Sequence, residues 1–212
     1  MITLYSYWRS TTSYRVRIAL NLKGIEYETK TVDLVAGVQR SPEYAALNPV
    51  QGVPTLVLSD GTVLTQSMAI LDYLDHTVPE PALLPSDPLL RAQVLAAAHV
   101  IAMDVHPVNN LKIVGRLKAE HGASQEDGVA WMQHWMTEGF RAYQALLSNS
   151  KTAFSFGDTP QICDLCLVAQ LYNARRWGVD MSDFERLLEI ESEAMKLDAF
   201  QRAKPEAQPD AS

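Results

Sequence analysis

Four consecutive hydroxyl side chains stand near the start of the chain, in the stretch WRSTTSYR that begins at Trp8. A strand-like run of β-branched and aromatic residues precedes them, and residues at helical spacing follow them. Hydroxyl and backbone N–H groups in the first turn of a helix can hydrogen-bond an anion. A redox protein would carry a reactive cysteine at this junction, whereas this chain carries Ser10, Thr11, Thr12 and Ser13.

A second candidate feature is Pro54, in the stretch NPVQGVPT that begins at Asn48. Pro54 directly precedes a predicted strand, where a missing N–H is tolerated only at the first position. In this context we favour a cis Val53–Pro54 peptide bond over the trans form. A cis bond would turn the backbone of Val53 outward, where it can hydrogen-bond a peptide-like ligand.

Gln66 and Ser67 lie at another predicted strand-to-helix junction. Free N–H groups, the serine hydroxyl and the positive end of the helix dipole would together hold a carboxylate there. On these two residues alone, an ordinary serine N-cap is the stronger interpretation.

Cys163 and Cys166 have the spacing of a redox or zinc half-site. They lie in the predicted helical half of the chain, and neither a second pair of cysteines nor a suitable pair of histidines stands nearby. We therefore interpret both as small buried apolar residues.

Three potential metal ligands lie in the middle of the chain, but they share no helical face, so we expect no metal: His99, Asp104 and His106. The segment from His106 to Asn110 gathers polar groups around Pro107. This pattern suits a kinked helix that lines a cleft.

The formal net charge of the 212-residue chain is −7, which argues against nucleic acid as a partner. Positive residues occur singly or in two pairs that suit a small anionic ligand better than a duplex, Arg15 with Arg17 and Arg175 with Arg176. No stretch is expected to span a membrane and no signal run opens the chain. Only two cysteines are present, so we expect a reducing cytoplasm.

The elements that must position these residues form two domains. Residues 1–78 predict the order βαβ-α-ββα of a thioredoxin-like unit, with a hairpin at Asp60-Gly61. Residues 79–88 are proline-rich and predict a linker. Residues 89–212 predict a helical domain, with helices over 89–120, 126–149 and 161–176 and an extended polar tail. The fold class is therefore α/β followed by all-α.

Four segments resemble the soluble glutathione transferases: RSTTSYRVRIALNLKG, NPVQGVPTL, QSMAILDYL and the proline linker. The RVRIAL continuation resembles the zeta class, which contains maleylacetoacetate and maleylpyruvate isomerases. The resemblance implies the glutathione transferase fold, glutathione as cofactor, a small anionic unsaturated keto acid as substrate, and a homodimer. Maleylacetoacetate, from tyrosine breakdown, is the expected substrate.

The resemblance also implies roles for particular residues. Ser10 matches the catalytic serine that faces the glutathione sulfur, with Thr11 and Thr12 in support. The expected glutathione-binding residues are Gln39, Gln51, Val53, Pro54, Gln66, Ser67, His106 and Asn110. Arg9 and Arg176 match basic positions associated with the carboxylates of the substrate.

The chain departs from the family pattern at two positions. Thr12 stands where many members carry cysteine, so side chemistry that depends on that thiol is expected to be lost. Gln161 stands where members carry Ser or Thr in a capping box with Asp164. Glutamine caps poorly, so we expect a cost of about 1 kcal/mol unless Thr159 substitutes.

Glutathione brings its own thiol, so the protein need only favour the thiolate. The expected reaction is isomerisation of a double bond by addition and loss of that thiolate. Three alternatives remain open: a maleylpyruvate isomerase, a transferase or dehalogenase that acts on small α-halo acids, and a non-catalytic binding protein. The last predicts a damaged thiol site and ranks lowest, because Ser10, Val53-Pro54 and Gln66-Ser67 are all present.

Overall fold

The computed structural model describes residues 1–148 and 150–211. The chain divides into two compact units, each described by itself below. The first unit comprises Met1–Leu83 together with the C-terminal residues from Met195 on, and the second unit comprises Leu84–Ala194.

The first unit has the predicted βαβ-α-ββα order. Its elements are β1 (Ile2–Ser6), α1 (Thr11–Leu22), β2 (Tyr27–Thr31), a 3-10 turn (Val38–Arg40), α2 (Pro42–Leu47), β3 (Thr55–Val57), β4 (Val63–Thr65) and α3 (Ser67–Thr77). The strands lie in the order β2-β1-β3-β4. β1 runs parallel to β2 and antiparallel to β3, and β4 runs antiparallel to β3. This mixed sheet confirms the predicted thioredoxin-like architecture.

The core of the first unit forms where apolar side chains of the sheet and helices meet. Leu4 of β1 pairs with Leu56 of β3, and both side chains are fully buried. α1 is buried around most of its surface because it packs on α3 and on α9 (Asp198–Ala203). Burial on several sides fixes the position of the N-terminal end of α1, which carries the hydroxyl cluster.

The helical second unit contains α4 (Pro88–His99), a π-helical turn (Val100–Val105), α5 (Leu111–His121), α6 (Gln125–Leu146), α7 (Ile162–Arg176) and α8 (Glu185–Ala194). The predicted helix over 89–120 is interrupted, since the chain turns at Pro107 and Asn110 begins α5 as its N-cap. The expected kinked helix at Pro107 is therefore corrected, because Pro107 lies in a turn that separates two helical segments. A glycine at 139 is required here, because an added Cβ would lie 2.1 Å from a methyl carbon of Val105.

Cys163 and Cys166 are fully buried in α7 and form no disulfide among the described residues, as expected of small apolar residues. Burial raises the pKa of the Cys163 thiol well above its usual value, so its reactive thiolate is disfavoured. The N-terminus of α7 keeps the Asp164 half of the capping box, while the stability cost expected for Gln161 stays a prediction. Asp164 accepts a hydrogen bond from the Gln161 N–H at 2.7 Å, whereas Oε1 of Gln161 has no hydrogen-bond partner among the described residues.

The boundaries of the compact units differ from the predicted domain boundaries at the linker. The first unit extends to Leu83 because Asp75 accepts the Leu83 N–H at 2.7 Å. Lys23 adds hydrogen bonds to Asp75 and to the carbonyl of Pro81, each at 3.0 Å. The Glu80–Pro81 peptide bond is cis.

The C-terminal segment also differs from the prediction, which placed it in the helical domain and ended it in an extended tail. Asn21 of α1 donates to the carbonyl of Ala199 at 3.0 Å, so the segment packs with the first unit. After α9 the chain forms a 3-10 turn (Pro205–Ala207). Long-range contacts with α1 therefore override the polar, proline-bearing composition of the tail.

The helix Pro88–Val105 is long and apolar enough, by length and composition alone, to cross a membrane. No such stretch was expected from the sequence. Helices in the cores of soluble proteins meet the same criterion, so this feature is weak grounds for a membrane role.

Candidate active site

The hydroxyl cluster lies at the N-terminus of α1, shortly after strand β1 ends. Ser10 is the N-cap of α1 and its Oγ accepts a hydrogen bond from the Ser13 N–H at 3.2 Å. Thr11 begins the helix and is buried. Ser10 is half-buried, so a ligand can reach its hydroxyl. The hydroxyl also lies at the positive end of the α1 helix dipole.

A hydrogen-bond chain joins this cluster to the loop before β3. Thr12 donates its hydroxyl to the carbonyl oxygen of Val53 at 2.8 Å. Because that bond uses the only hydroxyl proton of Thr12, the 2.9 Å contact between Ser10 Oγ and Thr12 Oγ1 has Ser10 as donor. The Ser10 hydroxyl therefore donates to Thr12 Oγ1. An anion close to Ser10 can replace Thr12 Oγ1 as the acceptor of this hydrogen bond.

The Val53–Pro54 peptide bond is cis, as predicted. No N–H donor bond from Val53 is present among the residues that the structure describes, while its carbonyl keeps one lone pair beside the Thr12 bond. The Tyr44 hydroxyl and the Asn48 amide each donate to the carbonyl of Gly52, at 2.7 and 2.8 Å. These bonds hold the loop so that the Val53 backbone can pair with a peptide ligand.

Gln66 and Ser67 occupy the start of α3, with a difference from the serine-cap interpretation. Gln66, not Ser67, is the N-cap, and it has a positive φ of 67° and no side-chain cap hydrogen bond. Ser67 is the first helical residue and is buried. Nη1 of Arg15 donates to Ser67 Oγ at 3.4 Å. Sequence reasoning named the Arg15/Arg17 pair only as a general anion signal and did not connect Arg15 with Ser67.

Arg9 stacks on the indole ring beside it, with its guanidinium carbon 4.0 Å from the centre of the Trp8 ring. Its buried Nε has no hydrogen-bond partner among the described residues. The stacked cation is held next to Ser10 in the chain, a position that suits a carboxylate ligand.

Gln39 and Gln51 have no hydrogen bond to the cluster of Ser10, Thr12 and Val53 within the described part of the chain. The Gln39 side-chain amide donates to the carbonyl of Leu34 at 3.4 Å. Gln51 is exposed and has a positive φ of 56°. Their expected role at glutathione stays a prediction.

His106, Asn110 and Arg176 belong to the second unit. His106 follows the π-helical turn, and Asn110 Oδ1 caps α5 by accepting the Lys112 N–H at 3.1 Å. Arg176 is the exposed last residue of α7, and its guanidinium carbon lies 4.7 Å from the centre of the Trp177 ring. Their roles likewise stay predictions.

Two further residues support the site and were missed by sequence reasoning. Asp210 accepts a hydrogen bond from the Trp8 N–H at 3.1 Å, two residues before Ser10. The fully buried Arg17 donates to the Ser6 hydroxyl at 3.0 Å, to the Trp8 carbonyl at 3.1 Å and to the Ala203 carbonyl at 2.9 Å. The only signal in the sequence was a charged residue inside the apolar run RVRIAL.

The donors of the first unit fit the three chemical parts of glutathione. The Val53 backbone offers an edge to a peptide, the start of α3 offers N–H groups and a hydroxyl to a carboxylate, and Ser10 offers a proton to a sulfur anion. Nη1 of Arg15 reaches Ser67 at the start of α3, while the buried guanidinium nitrogens Nε and Nη2 have no hydrogen-bond partner in the described chain.

Comparisons with known proteins agree with this geometry. Residues 1–76 match the family model described as glutathione S-transferase, N-terminal domain. A relative from Rhizobium meliloti named maleylacetoacetate isomerase is 48% identical over 204 residues, which is 96% of this chain and 95% of that protein.

Two solved structures also match along nearly their whole lengths. A bacterial maleylpyruvate isomerase described as a zeta-class glutathione transferase has a TM-score of 0.96 and 42% identity, covering 99% of this chain and 100% of that one. A maleylacetoacetate isomerase from Methylobacterium extorquens with bound malonate and glutathione has a TM-score of 0.95 and 38% identity, with 99% of both chains covered. The chain belongs to the zeta class of the glutathione transferases, the family that includes the maleylacetoacetate and maleylpyruvate isomerases.

Proposed function

We propose that the protein is a glutathione-dependent isomerase that converts maleylacetoacetate to fumarylacetoacetate. The observation that carries the proposal is the hydrogen-bond chain from Ser10 through Thr12 to the Val53 carbonyl, beside the cis Val53–Pro54 bond. These hydrogen bonds place the Ser10 hydroxyl donor next to the Val53 backbone, which can pair with a thiol-containing peptide. A relative at 48% identity carries the maleylacetoacetate isomerase name.

Bound glutathione supplies a thiolate that adds to the substrate double bond and leaves after rotation. Ser10 stabilises this thiolate by donating a hydrogen bond to it. To do so, the Ser10 hydroxyl gives up its hydrogen bond to Thr12 Oγ1. The dipole of α1 adds to the effect, since Ser10 caps the positive end of that helix. Thr12 keeps Ser10 and Val53 in register, and it does so with a hydroxyl where many family members carry a thiol.

The remaining residues act on the two carboxylates and the peptide ends. Arg9, pre-oriented on Trp8, binds a carboxylate of the substrate, and Arg176 is proposed for the other. Ser67 and Gln66 bind the γ-glutamyl carboxylate, with Gln39, Gln51, His106 and Asn110 as further proposed glutathione contacts. A guanidinium is suited to these roles because it presents paired N–H donors to a carboxylate.

Maleylpyruvate is the second candidate substrate, because a maleylpyruvate isomerase superposes with a TM-score of 0.96. It is the shorter diacid and needs a tighter pair of cationic contacts. A transferase or dehalogenase acting on α-halo acids would use the same thiolate but consume glutathione in proportion to product. A cytoplasmic homodimer in tyrosine catabolism is part of the proposal and follows from the family resemblance.

An isomerase assay with both substrates, run with and without glutathione, tests the proposal. Product should form only with glutathione, glutathione should be recovered in full, and kcat/KM should be higher for maleylacetoacetate. Equal turnover without glutathione would refute the proposal. Stoichiometric loss of glutathione would instead identify a transferase, and a preference for maleylpyruvate would change the substrate.

Removal of the Asp210 carboxylate should slow this reaction without unfolding the protein. Asp210→Ala leaves the Trp8 N–H without its acceptor, which loosens the turn that carries Arg9 and Ser10. We expect kcat/KM to fall about fivefold, in line with a hydrogen bond worth roughly 1 kcal/mol. Asp210→Asn keeps an acceptor oxygen and should retain most activity. If Asp210→Ala matched the native rate, the tail would have no positioning role.

A further inference from the structure

Two buried arginines of α1, Arg15 and Arg17, lie two positions apart in the sequence, yet their surroundings differ. Arg17 is fully buried and donates to a hydroxyl and to several backbone carbonyls. Arg15 is 1% exposed, and its single hydrogen bond among the described residues is the 3.4 Å donation from Nη1 to Ser67 Oγ. Its Nε and Nη2 have no hydrogen-bond partner there.

A guanidinium does not lose its proton in proteins, so Arg15 keeps a positive charge in its buried position. A buried charge without a paired anion is costly to the folded protein. Replacing such a group by an apolar one of similar size is often neutral or stabilising. The arrangement is therefore poorly explained by stability of the ligand-free protein and is better explained by a bound anion.

The direction of the Ser67 hydrogen bonds locates that anion. The Ser67 oxygen accepts from Arg15, so its own hydroxyl proton remains for another acceptor. Ser67 is the first residue of the 11-residue helix α3, where backbone N–H groups and the helix dipole favour negative charge. The preceding Gln66 supplies no side-chain cap.

We propose that Arg15 is a positioning residue that turns the Ser67 hydroxyl toward a carboxylate bound at the start of α3. The ligand class is a carboxylate anion, and the inference rests on the proposed function in taking it to be the γ-glutamyl carboxylate of glutathione. Arg15 acts through Ser67 and does not touch the ligand. Its charge strengthens the serine as a donor and compensates the ligand charge.

Two peptides separate this role from a structural one. Glutathione and 4-aminobutyryl-Cys-Gly differ only at the γ-glutamyl position, where the second peptide lacks the α-carboxylate and keeps the amino group. Calorimetric binding of both peptides is measured for the wild type, Arg15→Met, Arg15→Lys and Ser67→Ala, with Arg202→Met as control for the loss of an exposed arginine of the same unit. Thermal melting is measured for the ligand-free proteins.

Arg15→Met and Ser67→Ala should each weaken glutathione binding by about tenfold or more and leave the shorter peptide within about twofold. The double variant should lose no more than either single one, because both remove one relay. Arg15→Lys should restore most of the binding, and Arg202→Met should change nothing. The ligand-free Arg15→Met protein should melt no lower than the wild type.

Several results would overturn the inference. An Arg15→Met protein that loses affinity for both peptides by the same factor, or one that binds glutathione as well as the wild type, would remove the positioning role. If Arg15→Met fails to fold, the other two variants decide: the inference stands only if Ser67→Ala weakens glutathione selectively and Arg15→Lys keeps most of the wild-type affinity, and any other result overturns it. A wild type that binds no glutathione refutes the proposed function itself, and the inference falls with it.

Discussion

Ser10→Ala is expected to lower kcat/KM for maleylacetoacetate by a factor of about 10² to 10³, the usual effect of removing a donor aimed at developing charge. Of the Ser10 and Thr12 hydroxyl protons, that of Ser10 can turn to the sulfur, because the Thr12 proton is committed to the Val53 carbonyl. The measurement is steady-state isomerisation at saturating glutathione. Saturation separates the loss of thiolate from any loss of glutathione binding.

Ser10 is also the N-cap of α1, so its removal should cost about 1 kcal/mol of folding stability. Ser124→Ala is the matched control, because Ser124 caps α6 with a 3.0 Å bond from the Asp127 N–H and lies outside the proposed site. It should lose similar stability with unchanged kcat/KM. Ser10→Asp keeps a capping acceptor but offers no donor, and it should be as inactive as Ser10→Ala. A fully active Ser10→Asp protein would contradict the role given to the hydroxyl.

Asp164→Ala is expected to give the largest loss of stability, about 3 kcal/mol or more in the free energy of unfolding. The fully buried carboxylate accepts hydrogen bonds from the Ser155 N–H at 3.0 Å, the Ser155 hydroxyl at 2.5 Å and the Gln161 N–H at 2.7 Å. Its removal leaves buried donors without an acceptor. Urea unfolding measures the change. A loss below 1 kcal/mol would show that Gln161 and Ser155 find other partners.

Asp164 should also contribute to the pH dependence of stability. Burial is the largest influence on its carboxyl and raises the pKa above the usual range, while bonds from Ser155 and Gln161 lower it. Because the folded pKa exceeds the unfolded one, the folded state binds more protons between them. This contribution to stability is therefore lost as pH rises through that window. The free energy of unfolding of the wild type and of Asp164→Asn is measured as a function of pH. As pH rises from about 4, the pKa of the carboxyl in the unfolded chain, the wild type should lose stability relative to the variant.

Local patterns predicted much of the first unit. The hairpin at Asp60-Gly61 forms with Gly61 at a φ of 89°, and Gly24 ends α1 with a φ of 63°. Both features depend on a glycine in a left-handed conformation. Such a glycine can be recognised from the few residues around it in the sequence. The cis Val53–Pro54 bond and the position of the hydroxyl cluster were predicted in the same way.

Contacts between distant parts of the chain were not predictable from local patterns. The bond from Thr12 to Val53 spans 41 residues and that from Arg15 to Ser67 spans 52. Trp8 and Asp210 lie 202 residues apart. The N-cap of α3 was also predicted wrongly, as Ser67 in place of Gln66. Gln66 has a positive φ, which is unusual for a residue that is not glycine and is not expected from the sequence.

The account depends most on the state of the glutathione sulfur in the complex. The ultraviolet absorbance of the thiolate, followed with pH for glutathione bound to the wild type and to Ser10→Ala, reports that state directly. A free thiol has a pKa near 8.5, and the account predicts a midpoint at least about one unit lower in the wild-type complex, returning toward the free value in Ser10→Ala. The same midpoint for free and wild-type-bound glutathione would contradict it.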